Sequence, residues 1–223
     1  MALRRHEVNF EILSQEVLDG FTGLASSQVG DAMNREQVMS AAIKPIAEGT
    51  RIRGQARTVN AMAGDNGIIH AAIPYVRPGE ILVVNGMGLE DVAIWGEVMT
   101  HAALKQGVAG IVLDGAVRDA AEMREMGFPV FCRAIVPRGP HKGFGGTIDA
   151  TIACGGVAVS PGDLVIGDDD GVSVVPLAQV RAVQAAARDA QKREWAWLEE
   201  IAKGKTTREL LGLPEPELVL SDD

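Results

Sequence analysis

The sequence predicts an α/β fold: a βαβαβ unit with a partly parallel sheet, then an antiparallel β-meander, then a C-terminal helical arm. In the middle of the chain, apolar runs of strand length alternate with stretches of helical periodicity: "ILVVNG", "EDVAIWGEVMTHAALKQG", "AGIVLD", "RDAAEMREMG" and "PVFCRAIV". Gly107 and Gly127 stand where the two helical stretches should stop. In the last third, "GTIDATIACGGVAVSPGDLVIGDDDGVSVVP" is a series of strand-like runs divided by Gly-Gly, Pro-Gly-Asp and Asp-Gly turns.

The N-terminal third opens with helical material. "FEILSQEVLDGF" repeats apolar residues at helical spacing, and "SSQVGDAMN" is a second short helical candidate. "GTRIRGQARTVNAMA" reads as strands, with Ile52, Ala56, Val59 and Ala61 alternating imperfectly with polar neighbours. "GDNGIIHAAIPYV" reads as a turn and a short helix, ended by the Pro-Gly turn of "RPGE". After the β-rich third, a long helix is expected from about Pro176 to Lys203, and the tail "TTRELLGLPEPE" adds a short one. There is no interdomain linker, internal repeat or low-complexity tract, so residues 1–223 read as a single domain whose arm spans 176–223.

Composition narrows the partners. The 223 residues are 47% hydrophobic, enough for a substantial core. Lys+Arg 21 against Asp+Glu 30 gives a formal charge of −9, which argues against a nucleic-acid partner because phosphate binding calls for a basic face. "MALRRHEVNFEILSQ" has no apolar segment of secretory-signal type, and no apolar run is long enough to cross a membrane, so a cytoplasmic protein is expected. Cys132 and Cys154 lie in apolar, strand-like segments without CxxC spacing and read as buried free thiols.

The chemistry concentrates in "LDGAVRDAAEM", Leu113 to Met123. Asp119 with Glu122 at the third following position matches a capping box, which would account for both acids. It leaves Arg118 unexplained, because a guanidinium at the end of a buried strand needs an anionic partner. Upstream, Glu97 stands near the start of a helix, with His101 four residues on and on the same face. If the helix starts there, free N–H groups around Gly96, Glu97 and Val98 suit a substrate carboxylate. Glu-x-x-x-His lacks the specificity of a zinc motif, so His101 also reads as an ordinary histidine. "GDDDGV" reads as a solvated hairpin turn at Asp168 to Asp170, and "RGPHKGFGG" as a loop whose Arg138, His141 and Lys142 line a pocket or decorate the surface. "NGMG" lacks the third glycine of a dinucleotide fingerprint, no P-loop or G-x-S-x-G occurs, and no lysine is placed for a Schiff base.

Twenty residues separate Glu97 from Arg118, and the second cluster is Arg-Asp-x-x-Glu. Together with "SSQVGDAM", "GQARTV", "GDN", "RPGEILVVNG", "WGEVMTHAALKQGVAGIVLDGAVRD", "GFPVF" and "VSPGDLVIGDDDGVSVVP", this spacing resembles the metal-dependent class II pyruvate aldolases that cleave 4-hydroxy-4-methyl-2-oxoglutarate and 4-carboxy-4-hydroxy-2-oxoadipate. Their superfamily also contains a non-enzymatic regulator of ribonuclease E. The resemblance implies a β/β/α swivelling sandwich, homotrimers or homohexamers with sites between subunits, and a Mg²⁺ or Mn²⁺ cofactor with Asp119 as its direct protein ligand. It implies that Arg118 contacts the ketone or enolate oxygen of the substrate and that Glu122 sits in the outer metal shell. Glu97 matches a position that is commonly aspartate in the aldolases, a departure that keeps the carboxylate and lengthens its reach. Glu194, on the expected C-terminal helix, matches a glutamate contributed by the neighbouring subunit.

The implied activity is retro-aldol cleavage of a 4-hydroxy-2-oxo di- or tricarboxylic acid to pyruvate and a second oxo acid, with oxaloacetate decarboxylation as a side activity through the same enolate. The alternative is a non-enzymatic inhibitor of ribonuclease E. Glu122 separates the two, because the regulators typically lack the acidic residue after Arg-Asp-x-x and this chain has it. Whether His70, His101 or His141 enters the site is open at this level.

Overall fold

A computed structural model describes residues 2–219. The chain opens with β1 (Leu3–Arg5), two short helices, α1 (Gln15–Asp19) and α2 (Ser26–Ala32), and the two-residue strand β2 (Lys44–Pro45). The long β3 (Ile52–Ala61) and α3 (Gly67–Ala72) lead into β4 (Ile81–Asn85), β5 (Ala93–Trp95), α4 (Glu97–Gln106), β6 (Gly110–Val117), α5 (Ala120–Glu125) and β7 (Val130–Ile135). Five short strands come next: β8 (Gly146–Ile148), β9 (Ile152–Cys154), β10 (Val157–Val159), β11 (Leu164–Asp168) and β12 (Gly171–Val175). Last are α6 (Val180–Ala202), entered through a 3₁₀ turn at Leu177–Gln179, and α7 (Thr207–Leu211).

Strands β3, β4, β6 and β7 are parallel neighbours in that order, confirming the α/β unit expected from the apolar runs. A parallel sheet is covered on both faces, and successive residues of each strand serve different cores. Leu82, Val84, Ile111 and Leu113 pack with α3 and α4 residues such as Ile69 and Met99. Their neighbours Ile81, Val83 and Val112 pack with Val165, Val172 and Val174 of the β11–β12 hairpin. The far face of that hairpin, Leu164, Ile166 and Val175, packs with Val29 of α2 and Val183 and Ala187 of α6. The layering is therefore helix, sheet, hairpin, helix.

Three expectations about elements change. The stretch "FEILSQEVLDGF" is helical only over Gln15–Asp19, because the Leu13 N–H is taken by Gln55 Oε1 at 2.8 Å and the Ser14 side chain caps α1 immediately after it. The stretch "EDVAIWGEVMTHAALKQG" is not one helix: Ala93–Trp95 pairs in parallel with β6, and α4 starts only at Glu97. Its stop is as expected, Gly107 adopting φ +81° and sending its N–H back to Ala103 and Leu104. The β-rich third is not one meander. β9–β10 and β11–β12 are separate antiparallel hairpins, while β8 pairs with β1 and β3. The bridging element is β3, whose first half pairs with β11 and whose second half pairs with β4.

The turn at Asp168 to Asp170 is a hairpin but not wholly solvated. Asp168 is buried and accepts hydrogen bonds from the N–H and Oγ of Ser26 at 2.8 and 2.6 Å, pinning α2 to the hairpin. Both cysteines are free and buried, and burial pushes the Cys132 thiol up to about 12 and raises Cys154 as well. No described helix is long and apolar enough to cross a membrane.

Candidate active site

Two strand ends meet at the site. β5 ends at Trp95 and β6 at Val117, and the Arg118 N–H donates to the Trp95 carbonyl at 3.0 Å. Gly96 and Arg118 thereby lie side by side beyond the carboxyl ends of parallel strands, the usual place for ligands in such sheets. Trp95 is buried, stacks on Phe128 and donates from Nε1 to Thr100 Oγ1 at 2.9 Å; that hydroxyl donates to the Gly96 carbonyl at 3.1 Å. The first turn of α4 is thus fixed from inside.

Asp119 departs from the capping box expected with Glu122. It holds φ +55°, ψ +42°, in the left-handed region, and makes no side-chain cap to its own helix. Its Oδ2 instead accepts the Glu97 N–H at 3.2 Å and lies 3.4 Å from Arg118 Nε. The carboxylate of one helix start therefore caps another helix, whose N-terminal partial positive charge favours it. Gly96 allows this approach: a Cβ there would meet Asp119 Oδ2 at 2.6 Å and Arg118 Cγ at 3.1 Å. The N–H groups of Val98 and Met99 have no hydrogen-bond partner among the described residues, as expected in a first helical turn.

A cavity of about 180 Å³ opens here, lined by Gly96, Val98, Arg118 and Asp119, by Asn66 and His70 from the α3 region, and by Pro140 and Lys142 from the 138–146 loop. The structure brings together Arg118, Asp119, Gly96 and Val98 of the expected set. Glu97 joins them through its backbone, while its half-exposed carboxylate lies 3.7 Å from Nε2 of the exposed His101. Glu122 is exposed on α5 and does not line the cavity. Glu194 accepts from Gln28 Nε2 between α2 and α6 and lines a different groove of the same chain. Of the three histidines, His70 alone lines the cavity, and burial, followed by the nearby Lys142 charge, pushes it below the usual histidine range.

Asn66 lies within the "GDN" stretch without a role assigned to it, and His70 lies in none of the motifs. "GDN" carried a signal, because Asp65 is fully buried and organises the neighbouring loop. Lys142 was legible only as a member of a basic loop.

Among the described residues no group of three or more His, Cys, Asp or Glu is placed to hold a metal ion, which does not fit a protein-caged site. A hydrated hard cation held by one carboxylate does fit: Asp119 Oδ1 faces no donor among the described residues, since both contacts fall on Oδ2.

Comparison with known proteins gives the family. The family model described as "RraA-like: Aldolase/RraA" matches residues 26–174. A protein of Halalkalibacterium halodurans named "Putative 4-hydroxy-4-methyl-2-oxoglutarate aldolase" is 36% identical over 171 residues, 77% of this chain and 81% of its own. A solved protein of Pseudomonas syringae pv. tomato superposes with TM-score 0.78 at 27% identity, covering 91% of this chain and 100% of that one. Streptomyces coelicolor RraAS2, described as an unusual member of the RNase ES inhibitor RraA protein family, superposes with TM-score 0.73 at 28% identity, covering 83% of this chain and 98% of its own. With two thirds of its length matched by the family model and its fold shared with these structures, the chain belongs to the RraA-like (Aldolase/RraA) family.

Proposed function

We propose that the protein is a carbon–carbon lyase that cleaves a 4-hydroxy-2-oxo acid by retro-aldol reaction, releasing pyruvate. The observation that carries this reading is the placement of Arg118 and Asp119 with the open start of α4 on one small cavity. The relative of Halalkalibacterium halodurans, with its aldolase name, supports it.

The residues divide the work. The N–H groups of Val98 and Met99 receive the substrate's 1-carboxylate at the positive end of α4. Arg118 binds the 2-oxo oxygen and stabilises the negative charge that gathers there when the C3–C4 bond breaks. The C4 hydroxyl gives its proton to water at the cavity mouth, and the half-exposed Glu97 carboxylate at the start of α4 is the candidate to hold that water, Glu122 standing outside the cavity. The electron pair of the broken bond forms the pyruvate enolate, and protonation at C3 completes the product. Asp119 would hold a divalent cation such as Mg²⁺ or Mn²⁺, which supplies positive charge to the oxygens of the bound oxo acid. Oxaloacetate decarboxylation requires the same enolate and is the expected side activity.

A homotrimer or homohexamer with shared sites belongs to this reading. Its support is the second half of α6 and the tail, where Trp195, Leu198, Ile201, Leu211 and Leu213 are exposed without a partner among the described residues. The test is a panel of 4-hydroxy-2-oxo acids and oxaloacetate, with pyruvate release coupled to lactate dehydrogenase, in Mg²⁺ and in chelator. Metal-dependent pyruvate from at least one acid is expected; none from any would defeat the reading.

A second reading, a protein-binding inhibitor of ribonuclease E, is favoured by the likeness to RraAS2. It requires stoichiometric inhibition of that nuclease by a protein that releases no pyruvate from the panel.

A further inference from the structure

The strand that delivers Arg118 is irregular just before it does so. On β6, Leu113 pairs with Cys132 and Ala116 with Ala134, so Asp114 and Gly115 together face the single residue Arg133 of β7. Such a bulge is uncommon between parallel strands, and beside a site it re-aims the residues that follow. Here those are Val117, Arg118 and Asp119.

The bulge also marks a change of neighbour. β4 pairs with β6 as far as Asn85 opposite Asp114, and β5 takes over with Ala93 opposite Ala116 and Trp95 opposite Val117. The Asp114 carbonyl accepts the N–H groups of Gly86 and Gly88, both at 3.0 Å, and so holds the turn that leads from β4 toward β5. In that turn Met87 and Gly88 both take left-handed backbone, at φ +61° and +68°. Both strand ends of the site are thus set from Asp114, β6 directly and β5 through the turn.

The Asp114 side chain is buried and ties three segments together. Oδ1 accepts from Arg133 Nε of β7, and Oδ2 accepts the Gly155 N–H at 2.7 Å, in the turn between β9 and β10. Neither Asp114 nor Arg133 lines the cavity. A buried ion pair is a poor source of stability, since apolar residues of similar volume often serve as well. Its place on the two facing sides of the bulge gives it another role. We infer that Asp114 and Arg133 are positioning residues, whose ion pair holds the β6 bulge and so places Arg118 and Asp119 against the start of α4. For the reaction this rests on the lyase reading; for the contact between Asp119 and Glu97 it does not.

The test takes two readings on the full-length protein: amide hydrogen exchange at Glu97, resolved by mass spectrometry with electron-transfer fragmentation, and Mg²⁺-dependent deuterium exchange into pyruvate. Arg133→Met should speed Glu97 exchange toward the rate in Asp119→Ala, where the acceptor is gone. It should also lower the pyruvate rate at saturation by about tenfold, the scale of a catalytic group displaced by under about 1 Å. The half-saturating pyruvate concentration should stay within about twofold, because Trp95 and Thr100 fix the α4 start independently. Asp149→Asn breaks a buried ion pair outside the cavity lining and should move neither reading. Arg133→Lys keeps the charge and should give intermediate values of both; it stands in, under the same criteria, if circular dichroism shows the methionine variant unfolded. Glu97 exchange left unchanged by Arg133→Met, or raised equally by Asp149→Asn, would overturn the inference, as would an unchanged saturating rate in a protein that does exchange pyruvate. A Glu97 response as expected in a protein that exchanges no pyruvate would refute the lyase reading alone.

Discussion

The Oδ2 atom of Asp119 accepts the Glu97 backbone N–H at 3.2 Å, so the residue that opens α5 caps α4. The contact joins the two strand ends that form the site. It also explains a left-handed aspartate at φ +55°, a conformation that turns the carboxylate away from its own helix and onto its neighbour's.

Stability and activity should therefore separate at Asp119. Asp119→Gly relieves the left-handed backbone while losing the cap, whereas Asp119→Ala loses the cap and retains the strain. The alanine variant should be the less stable of the two by about 1 kcal/mol. Both should lose turnover by about 100-fold or more. Urea unfolding and pyruvate release on the same preparations check both halves.

Gly96→Ala tests the close approach. At φ −173° the backbone accepts any residue, so the main obstacle is the Asp119 carboxylate 2.6 Å from the new methyl. Turnover should fall by about 100-fold, as for a displaced catalytic group, while the unfolding free energy changes by about 1 kcal/mol. Unchanged activity would show that the Asp119 position is not critical.

Outside the cavity lining, Arg57 is buried between Asp149, at 2.8 and 2.6 Å, and Glu80, at 3.3 Å. Asp149→Asn keeps the shape of a left-handed residue but leaves Arg57 short of one charge, and should cost about 3 kcal/mol. The double variant with Arg57→Met should cost less than the two single changes summed, measured as a double-mutant cycle by chemical denaturation.

Asp163 sets an acid-side pH dependence. Burial raises its pKa above the ordinary aspartate value, although the Ser160 and Leu177 N–H groups at 2.8 and 2.9 Å work the other way. Between the ordinary and raised values the folded state keeps a proton that the unfolded chain has released. Its contribution to stability consequently falls as pH rises through that window and is flat above it. The stability difference between the unaltered protein and Asp163→Asn should decline with rising pH across that window in urea titrations; a rising difference would contradict the assignment.

Much of this was legible in the sequence for identifiable reasons. Apolar runs such as "AGIVLD" and glycine stops at Gly107 and Gly127 mark the parallel unit, because buried strands and helix ends have strong local signatures. β5 was not legible: "VAIW" is an apolar run that serves a strand or a helix equally, and its pairing with β6 decides. The capping role of Asp119 was misplaced for a related reason. Residue spacing describes a helix's own start and cannot show that a carboxylate crosses to another helix. The burial of Asp168 depends on Ser26, 142 residues away in sequence, and the Asn66–His70–Lys142 wall likewise depends on tertiary contacts around Asp65.

The most direct test of an enolate-stabilising site needs only the product: deuterium exchange into the methyl group of pyruvate, read by proton NMR in D₂O. The protein with Mg²⁺ should exchange pyruvate well above the buffer rate, and chelator, Arg118→Ala or Asp119→Asn should each abolish the excess. Exchange at the buffer rate, or excess exchange that survives Asp119→Asn, would contradict an enolate site built on Arg118 and Asp119.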